Sequence, residues 1–287
     1  MRRRYGWDLA LVLITVAWGA TFVPVKRAVE VISPMPFLAL RFLIAAIAIA
    51  AVRPAQTRAA KRIDVGGGIV AGVLLFVSYA TQTIALQYAS VANVGFITGT
   101  YVVMVPVFAA LVLRKLPSRA ASVAVLLATA GLYLLARPSG SQFGKGEILT
   151  IFTAASFAVQ ILVIARIAER INLVAFSVVQ LLTVAVCAGL AGIGGHVAGF
   201  SRVIVWGTIL LTALVATSFA YFVQAAAQRV VSPTRVALIL AMESVFAALF
   251  GFWFAGERIG AIGWAGGALI LAGVLVGELL APEREVA

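Results

Sequence analysis

The length of its apolar runs constrains this chain most. Again and again roughly 18 to 25 residues pass with almost no charge, which as a helix matches the thickness of a bilayer core. A soluble α/β domain would break its apolar residues into shorter, amphipathic stretches. A transmembrane barrel would show short segments alternating apolar with polar. Neither pattern is present. Hydrophobic residues make up 63% of the 287 positions and charged residues 11%, well short of the ~25% that a water-covered surface carries. The fold class expected is all-α and integral to a membrane.

Ten segments are predicted: Leu9–Val25, Pro34–Val52, Gly66–Tyr88, Ala92–Leu113, Ser118–Ala136, Glu147–Ala168, Leu173–Ile193, Val205–Gln228, Thr234–Phe254 and Ile259–Leu280. Connections are short and punctuated by Ser33-Pro34-Met35-Pro36, Arg137-Pro138-Ser139-Gly140 and Gly194-Gly195, so consecutive helices are antiparallel neighbours. Met1-Arg2-Arg3-Arg4 before an apolar run has the look of a signal peptide. Nine further apolar segments follow, and a retained first helix is the better reading.

Positive charge orients the bundle. Of the 22 lysines and arginines, Arg41 lies inside the second segment. Six (Lys26, Arg27, Arg137, Lys145, Arg202 and Arg258) fall on one side, and the other fifteen share the side of the N-terminus. Both termini are therefore expected in the cytoplasm, in a bacterial-type cytoplasmic membrane.

A net charge of +12 raises the question of nucleic acid. The positive residues sit between apolar runs rather than on a basic face with stacking aromatics, so nucleic acid is not an expected partner. Cys187 and His196 are the sole residues of their kinds. They offer no disulfide and no metal set. No phosphate-binding loop pattern occurs, so this chain is not expected to pump on ATP. No cofactor is expected, and no enzymatic activity.

The chain is doubled. Tyr79-Ala80-Thr81-Gln82 in the third segment matches Tyr221-Phe222-Val223-Gln224 in the eighth, 142 residues on. Val107-Phe108-Ala109-Ala110-Leu111 matches Val245-Phe246-Ala247-Ala248-Leu249 at 138, and Ala130-Gly131 matches Ala272-Gly273 at 142. The matched segments are five apart. Five is odd, so two five-helix halves, residues 1–140 and 141–287, are expected in inverted topology. Such repeats place a solute site near the bilayer midplane and rock one half against the other.

Polar side chains inside a membrane helix normally face a bundle interior or a wet cavity. Thr217, Tyr221, Gln224 and Gln228 form one stripe on the eighth segment, and Tyr79, Gln82 and Thr83 the matching stripe on the third. Asn93, Thr100 and Tyr101 share a face of the fourth. Trp18 and Thr21 on the first, Gln160 on the sixth and Gln180 on the seventh complete a lining of neutral donors, acceptors and aromatics. It would suit an amphipathic organic solute or a zwitterion; interhelical hydrogen bonding is the alternative reading of each residue. Two charges lie at depth. Arg41 could bind a carboxylate or phosphate, or reach to the interface. Glu243 could exchange a proton against solute, bind a cationic group, or clamp an arginine. Glu257, at a helix end beside Arg258, reads as a capping residue. Gly263 and Gly267, Gly273 and Gly277, and Gly68 and Gly72 have the spacing of close helix contacts, within a monomer or across a homodimer.

Trp18-Gly19-Ala20-Thr21-Phe22, Arg41-Phe42, Glu243-Ser244-Val245-Phe246, Gly256-Glu257-Arg258 and the glycines Gly266, Gly267 and Gly273 together resemble the EamA-type, ten-helix members of the drug/metabolite transporter superfamily. The resemblance runs over nearly the whole chain. The family's pattern has a proline after the ninth-helix glutamate where this chain has Ser244, so no proline-driven kink is expected there; Pro106 stands at the corresponding point of the fourth segment. The resemblance implies a 5+5 inverted fold and the export, or sometimes uptake, of small metabolites, amino acids or drugs. The function expected is thus a secondary transporter working by alternating access, with export the favoured direction and membrane lipid as its surroundings. A passive channel or facilitator, and a membrane-embedded enzyme, are the alternatives.

Overall fold

The computed structural model describes residues 2–113, 118–136 and 144–280. Among these, regular structure is entirely helical. The first half holds α1 (Arg2–Val29), α2 (Pro34–Val52), the single turn α3 (Pro54–Arg58), α4 (Arg62–Ala85), α5 (Val91–Gly99), α6 (Tyr101–Leu113) and α7 (Arg119–Ala136). The second holds α8 (Lys145–Ile167), α9 (Leu173–Ala191), α10 (Val203–Ala213), α11 (Ala220–Ala227), α12 (Pro233–Leu240), α13 (Met242–Ala255) and α14 (Ala261–Leu280). A π-helical stretch, Leu214–Phe219, joins α10 to α11. Eight stretches are long and apolar enough to cross a membrane, with α5–α6, α10–α11 and α12–α13 each running as one; shorter apolar helices cover Arg119–Leu134 and Ala261–Gly277. Arg114, Lys115, Arg137 and Arg284, used to orient the chain, lie outside the described residues, as does the Pro138-Ser139-Gly140 turn.

Local chemistry starts the helices where the sequence punctuates them. Ser90 and Ser232 cap α5 and α12 by accepting from the N–H of Asn93 and Arg235, and Asn172 caps α9 by accepting from Val174 and Ala175. The Asp64 carboxylate accepts from Lys61 N and Asn172 N, both at 2.7 Å, tying the start of α4 to the start of α9. Between them these groups satisfy helix-end N–H groups that lipid could not.

The polarity of a soluble protein is reversed. Ile47, Leu111, Leu126 and Ile193 face outward, while Thr15, Gln82, Gln160, Thr212 and Gln224 are buried. Small residues bring the helices together. A Cβ on Gly131 of α7 would stand 2.5 Å from Gly266 O and 2.7 Å from Ile270 N of α14; a Cβ on Gly273 of α14 would stand 2.7 Å from Ala124 O and 2.9 Å from Ala128 N of α7. Gly68 and Gly72 admit α9 to α4 in the same way. These glycines therefore make contacts within the chain.

The ninth apolar segment breaks despite lacking the proline. α12 ends at Leu240 and α13 begins at Met242, with Ser244 N bonded to Ala241 O and Ser244 Oγ donating to Gly95 O at 2.7 Å. The fourth breaks at Thr100, six residues before Pro106. Tertiary contacts, rather than proline, accompany the interruption of α12–α13.

Candidate functional site

A cavity lies where the broken α12–α13 segment meets α1. Trp18, Thr21, Phe22 and Val25 line it from α1, Arg41 from α2, Tyr79, Gln82, Thr83 and Leu86 from α4, and Glu243 from the first turn of α13. Its free space is about 20 Å³. That is room for about one water, far below the ~300 Å³ at the lower end for an organic ligand.

Arg41 points inward, 3% exposed, rather than reaching to an interface. Its Nε donates to Thr217 Oγ1 at 2.9 Å and its Nη2 to Tyr79 OH at 3.4 Å, with the guanidinium carbon 4.7 Å from the Tyr79 ring centroid. Tyr221 OH donates to Tyr79 OH at 3.0 Å, so the two tyrosines matched in sequence touch. Trp18 is tilted against Tyr221 at 5.5 Å and donates Nε1–H to Ala216 O at 2.7 Å. Ala216 and Thr217 belong to the π-helical stretch, where the regular ladder is interrupted and a carbonyl is available to an outside donor. Ser218 Oγ–H donates to Ala213 O and Ala45 O there. The stretch thus aims one carbonyl at Trp18 and one hydroxyl at Arg41. Glu243 is buried, yet among the described residues its carboxylate has no hydrogen-bond or ion-pair partner. Its one charged neighbour on the cavity wall is Arg41.

A second polar cluster joins α8, α9 and α11. Gln224 Nε2 donates to Gln160 Oε1 at 3.1 Å, Gln160 Nε2 to Gln180 Oε1 at 3.4 Å, and Gln228 Nε2 to Ile161 O at 2.7 Å. Tyr101 lies edge-on to Phe157 at 6.3 Å, its hydroxyl buried without a hydrogen-bond partner among the described residues.

The expected lining therefore divides. Trp18, Thr21, Arg41, Tyr79, Gln82, Thr83 and Glu243 share the cavity, with Tyr221 just behind it. Gln160, Gln180 and Gln224 form the second cluster. Asn93 belongs to neither: its Nδ2 donates to Glu147 Oε1 at 3.3 Å where α5 and α8 begin. Thr98, which accepts from Gln82 Nε2 at 3.2 Å, escaped the sequence reading. It is a polar residue in an apolar run and could have been found by the same rule. Phe22, Val25 and Leu86 carry no such mark. Glu257 caps, as expected, but a different helix from its own: its carboxylate accepts from Val91 N at 3.0 Å and Ala92 N at 3.1 Å at the start of α5.

Comparison with known proteins agrees with this architecture. The profile of the EamA-like transporter family matches twice, over residues 6–137 and 144–277. An uncharacterized transporter of Archaeoglobus fulgidus is 31% identical over 279 residues, 97% of this chain and 87% of that protein. A protein known by its crystal structure superposes with a TM-score of 0.79 over 98% of this chain and 99% of its own, at 17% identity, a likeness of fold alone.

Proposed function

The chain belongs to the EamA-like transporter family, and on that premise we propose that it is a secondary transporter carrying a small organic solute, amino-acid-like or drug-like, by alternating access across the cytoplasmic membrane. The observation that carries this reading is the cavity itself: an arginine with donors to spare and a carboxylate without a partner face one space with aromatic walls. Arg41 uses two of its five N–H groups on the described neighbours, which leaves donors for a carboxylate. Glu243 can hold an ammonium group. A zwitterion satisfies both.

Ten spans in two inverted halves, residues 1–140 and 141–287, fit the pattern of contacts. Gly131 and Gly273 are 142 apart, and each packs on the counterparts of the other's neighbours: Gly266 and Ile270 against Ala124 and Ala128. The caps Ser90 and Ser232 are 142 apart. The family profile matches once in each half. The positive-residue bias supports cytoplasmic termini.

With free space for about one water, the cavity in this conformation is too small for an organic solute, and in this reading the halves move to let one pass. Glu243 can hold a proton or a cationic group but not both. Protonation on one side therefore releases what deprotonation on the other side took up, which is exchange, and under an inward proton gradient it is export.

The test begins with a thermal-shift screen of amino acids, nucleosides and drug-like cations on the purified chain, since a ligand of the folded state raises its stability. Counterflow of the hit, labelled, in proteoliposomes follows. A carrier shows trans-stimulation. Flux without trans-stimulation would favour a channel and overturn the reading.

A further inference from the structure

The two polar clusters are counterparts. Moved on by 139 residues, Trp18, Thr21 and Arg41 fall on Phe157, Gln160 and Gln180; at an offset of 142, Tyr79 and Gln82 fall on Tyr221 and Gln224. At the 142 that relates the caps Ser90 and Ser232, rather than the 138 of the Val107–Leu111 match, Glu243 falls back on Tyr101. The counterparts of the cavity wall are thus gathered too, by the Gln224–Gln160–Gln180 chain and by the Tyr101–Phe157 contact.

The glutamines lie toward the opposite end of the bundle, and the two clusters adjoin at its middle, where Tyr79 meets Tyr221 and Phe157. Lys26 Nζ donates to Ala89 O and Gln87 Nε2 to Val29 O, so α1 ends beside the end of α4. Arg229 donates to Ala168 O and Ile171 O, and Asn172 N to Asp64, so α8 and α11 end beside the start of α4. The two ends are separated by the 24 residues of α4, roughly 36 Å.

The second cluster is closed, and its hydrogen bonding is incomplete. Gln180 Nε2, Gln224 Oε1, Gln228 Oε1, Ser177 Oγ and Tyr101 OH are the buried side-chain atoms without a partner among the described residues. The four on Gln180, Gln224, Gln228 and Ser177 fall in or beside this cluster, Ser177 being one turn from Gln180; Tyr101 OH lies where the two clusters adjoin, its ring 6.3 Å from that of Phe157, which also meets Tyr79 at 5.6 Å. Turning the three linked amides over exchanges which atoms are left at the chain's ends, not how many. A network built only to hold helices together would not leave so many polar atoms unmet, because each is costly in a site without water.

We propose that Gln160, Gln180, Gln224 and Gln228 form a second station for the solute, closed in this conformation and opened when the halves exchange shapes. The inference rests on the inverted, alternating-access reading above. Its chemistry differs from that of the first station. Where the cavity has Arg41, this one has Gln180, and none of its four glutamines is replaced by a carboxylate. It takes an uncharged hydrogen-bonding group of the solute, a hydroxyl or an amide, and holds water in its absence.

Cysteine labelling tests this without knowing the solute. With the sole cysteine removed (Cys187→Ser), Gln82→Cys and Gln224→Cys are exposed in right-side-out and inside-out vesicles to membrane-impermeant methanethiosulfonates, one anionic and one cationic. Gln82→Cys is expected to react from one face and Gln224→Cys from the other, the latter with anionic and cationic reagents at rates within about threefold of each other. A preference of about tenfold, the imprint of a nearby formal charge, would overturn the neutral station. Gln224→Cys inert from both faces, or reactive from the same face as Gln82→Cys, would overturn the station altogether while leaving the cavity reading intact. An inert Gln82→Cys would instead count against the cavity.

A second measurement guards against a misfolded variant. Replacing Gln160, Gln180 and Gln224 together by Leu removes the amide chain and its unmet ends, so the thermal midpoint in detergent is expected to hold or rise. A fall of several degrees would mark the network as structural and overturn the proposal.

Discussion

Replacing Glu243 by Gln isolates the proton from the fold. The cavity contains one carboxylate, so one proton per cycle is the most that it can carry. The charged and titratable groups facing Glu243 are Arg41 on α2 and Tyr79 on α4, with Tyr221 behind Tyr79 and Tyr101 on the neighbouring α6. None of these is a second carboxylate. In the exchange proposed above, the carboxyl would take a proton on the acidic side and let the solute go, and on the other side lose the proton and bind solute. The solute therefore collects on the acidic side. One pH unit is worth ~1.4 kcal/mol per proton, which is about a tenfold gradient of solute. In proteoliposomes with the membrane potential clamped and one pH unit imposed, the parent should reach about tenfold accumulation. Glu243→Gln should reach a ratio of about 1, because the neutral amide neither takes up nor releases a proton. Arg41 would then face no negative side chain, so counterflow of an anionic or carboxylate-bearing solute should persist and tighten. A Glu243→Gln protein that still builds the tenfold gradient would refute the coupling role and leave Glu243 as a binding or structural group.

Three further substitutions probe the frame. Gly131→Val drives a Cβ into backbone atoms of α14 at 2.5 and 2.7 Å, neither of which can rotate away; a loss of ~1–3 kcal/mol or more is expected, read as a lower thermal midpoint or loss of the monodisperse peak on size exclusion. Asp8→Asn breaks a buried pair whose carboxylate meets Arg235 Nη2 at 2.7 Å and Nε at 3.3 Å. It should cost ~3 kcal/mol, and an unchanged midpoint would show that the pair contributes nothing net. Glu257→Ala uncovers Val91 N and Ala92 N at the start of α5; thermal unfolding should report a loss of ~1 kcal/mol.

The apolar pattern locates the membrane helices because lipid leaves the chain so little choice. With no water to satisfy the backbone, each span must be helical, and its length is set by the bilayer. The apolar pattern bounds the second segment at Pro34–Val52, and α2 has those bounds. The interior of a span is less constrained. The break at Ala241 and the π-helical stretch at Leu214–Phe219 carry no proline. They go with contacts made far along the chain, Ser244 to Gly95 and Trp18 to Ala216. Hydropathy averages such positions away. The short turn α3, Pro54–Arg58, falls in the stretch that the apolar pattern leaves as a connection, and none of its residues is buried.

The site shows the same division between what burial dictates and what geometry decides. A polar side chain in a span must be sheltered, and Arg41, Gln82, Gln160, Gln224 and Glu243 are. Which of them share one space depends on where each helix starts and how the halves are set against each other, and no single segment encodes that. Asn93 is the instructive case. It follows Ser90 by three residues, so it sits in the first turn of α5, at the end of the bundle, where it meets Glu147. Its counterpart, 142 residues on, is Arg235, which follows the cap Ser232 by three residues and meets Asp8, itself the counterpart of Glu147 at an offset of 139. A position that looked like a misplaced member of the cavity is thus one half of a repeated end contact. The doubling of the sequence, read at single residues rather than as a property of whole segments, separates the residues that close the bundle's ends from those that line its centre.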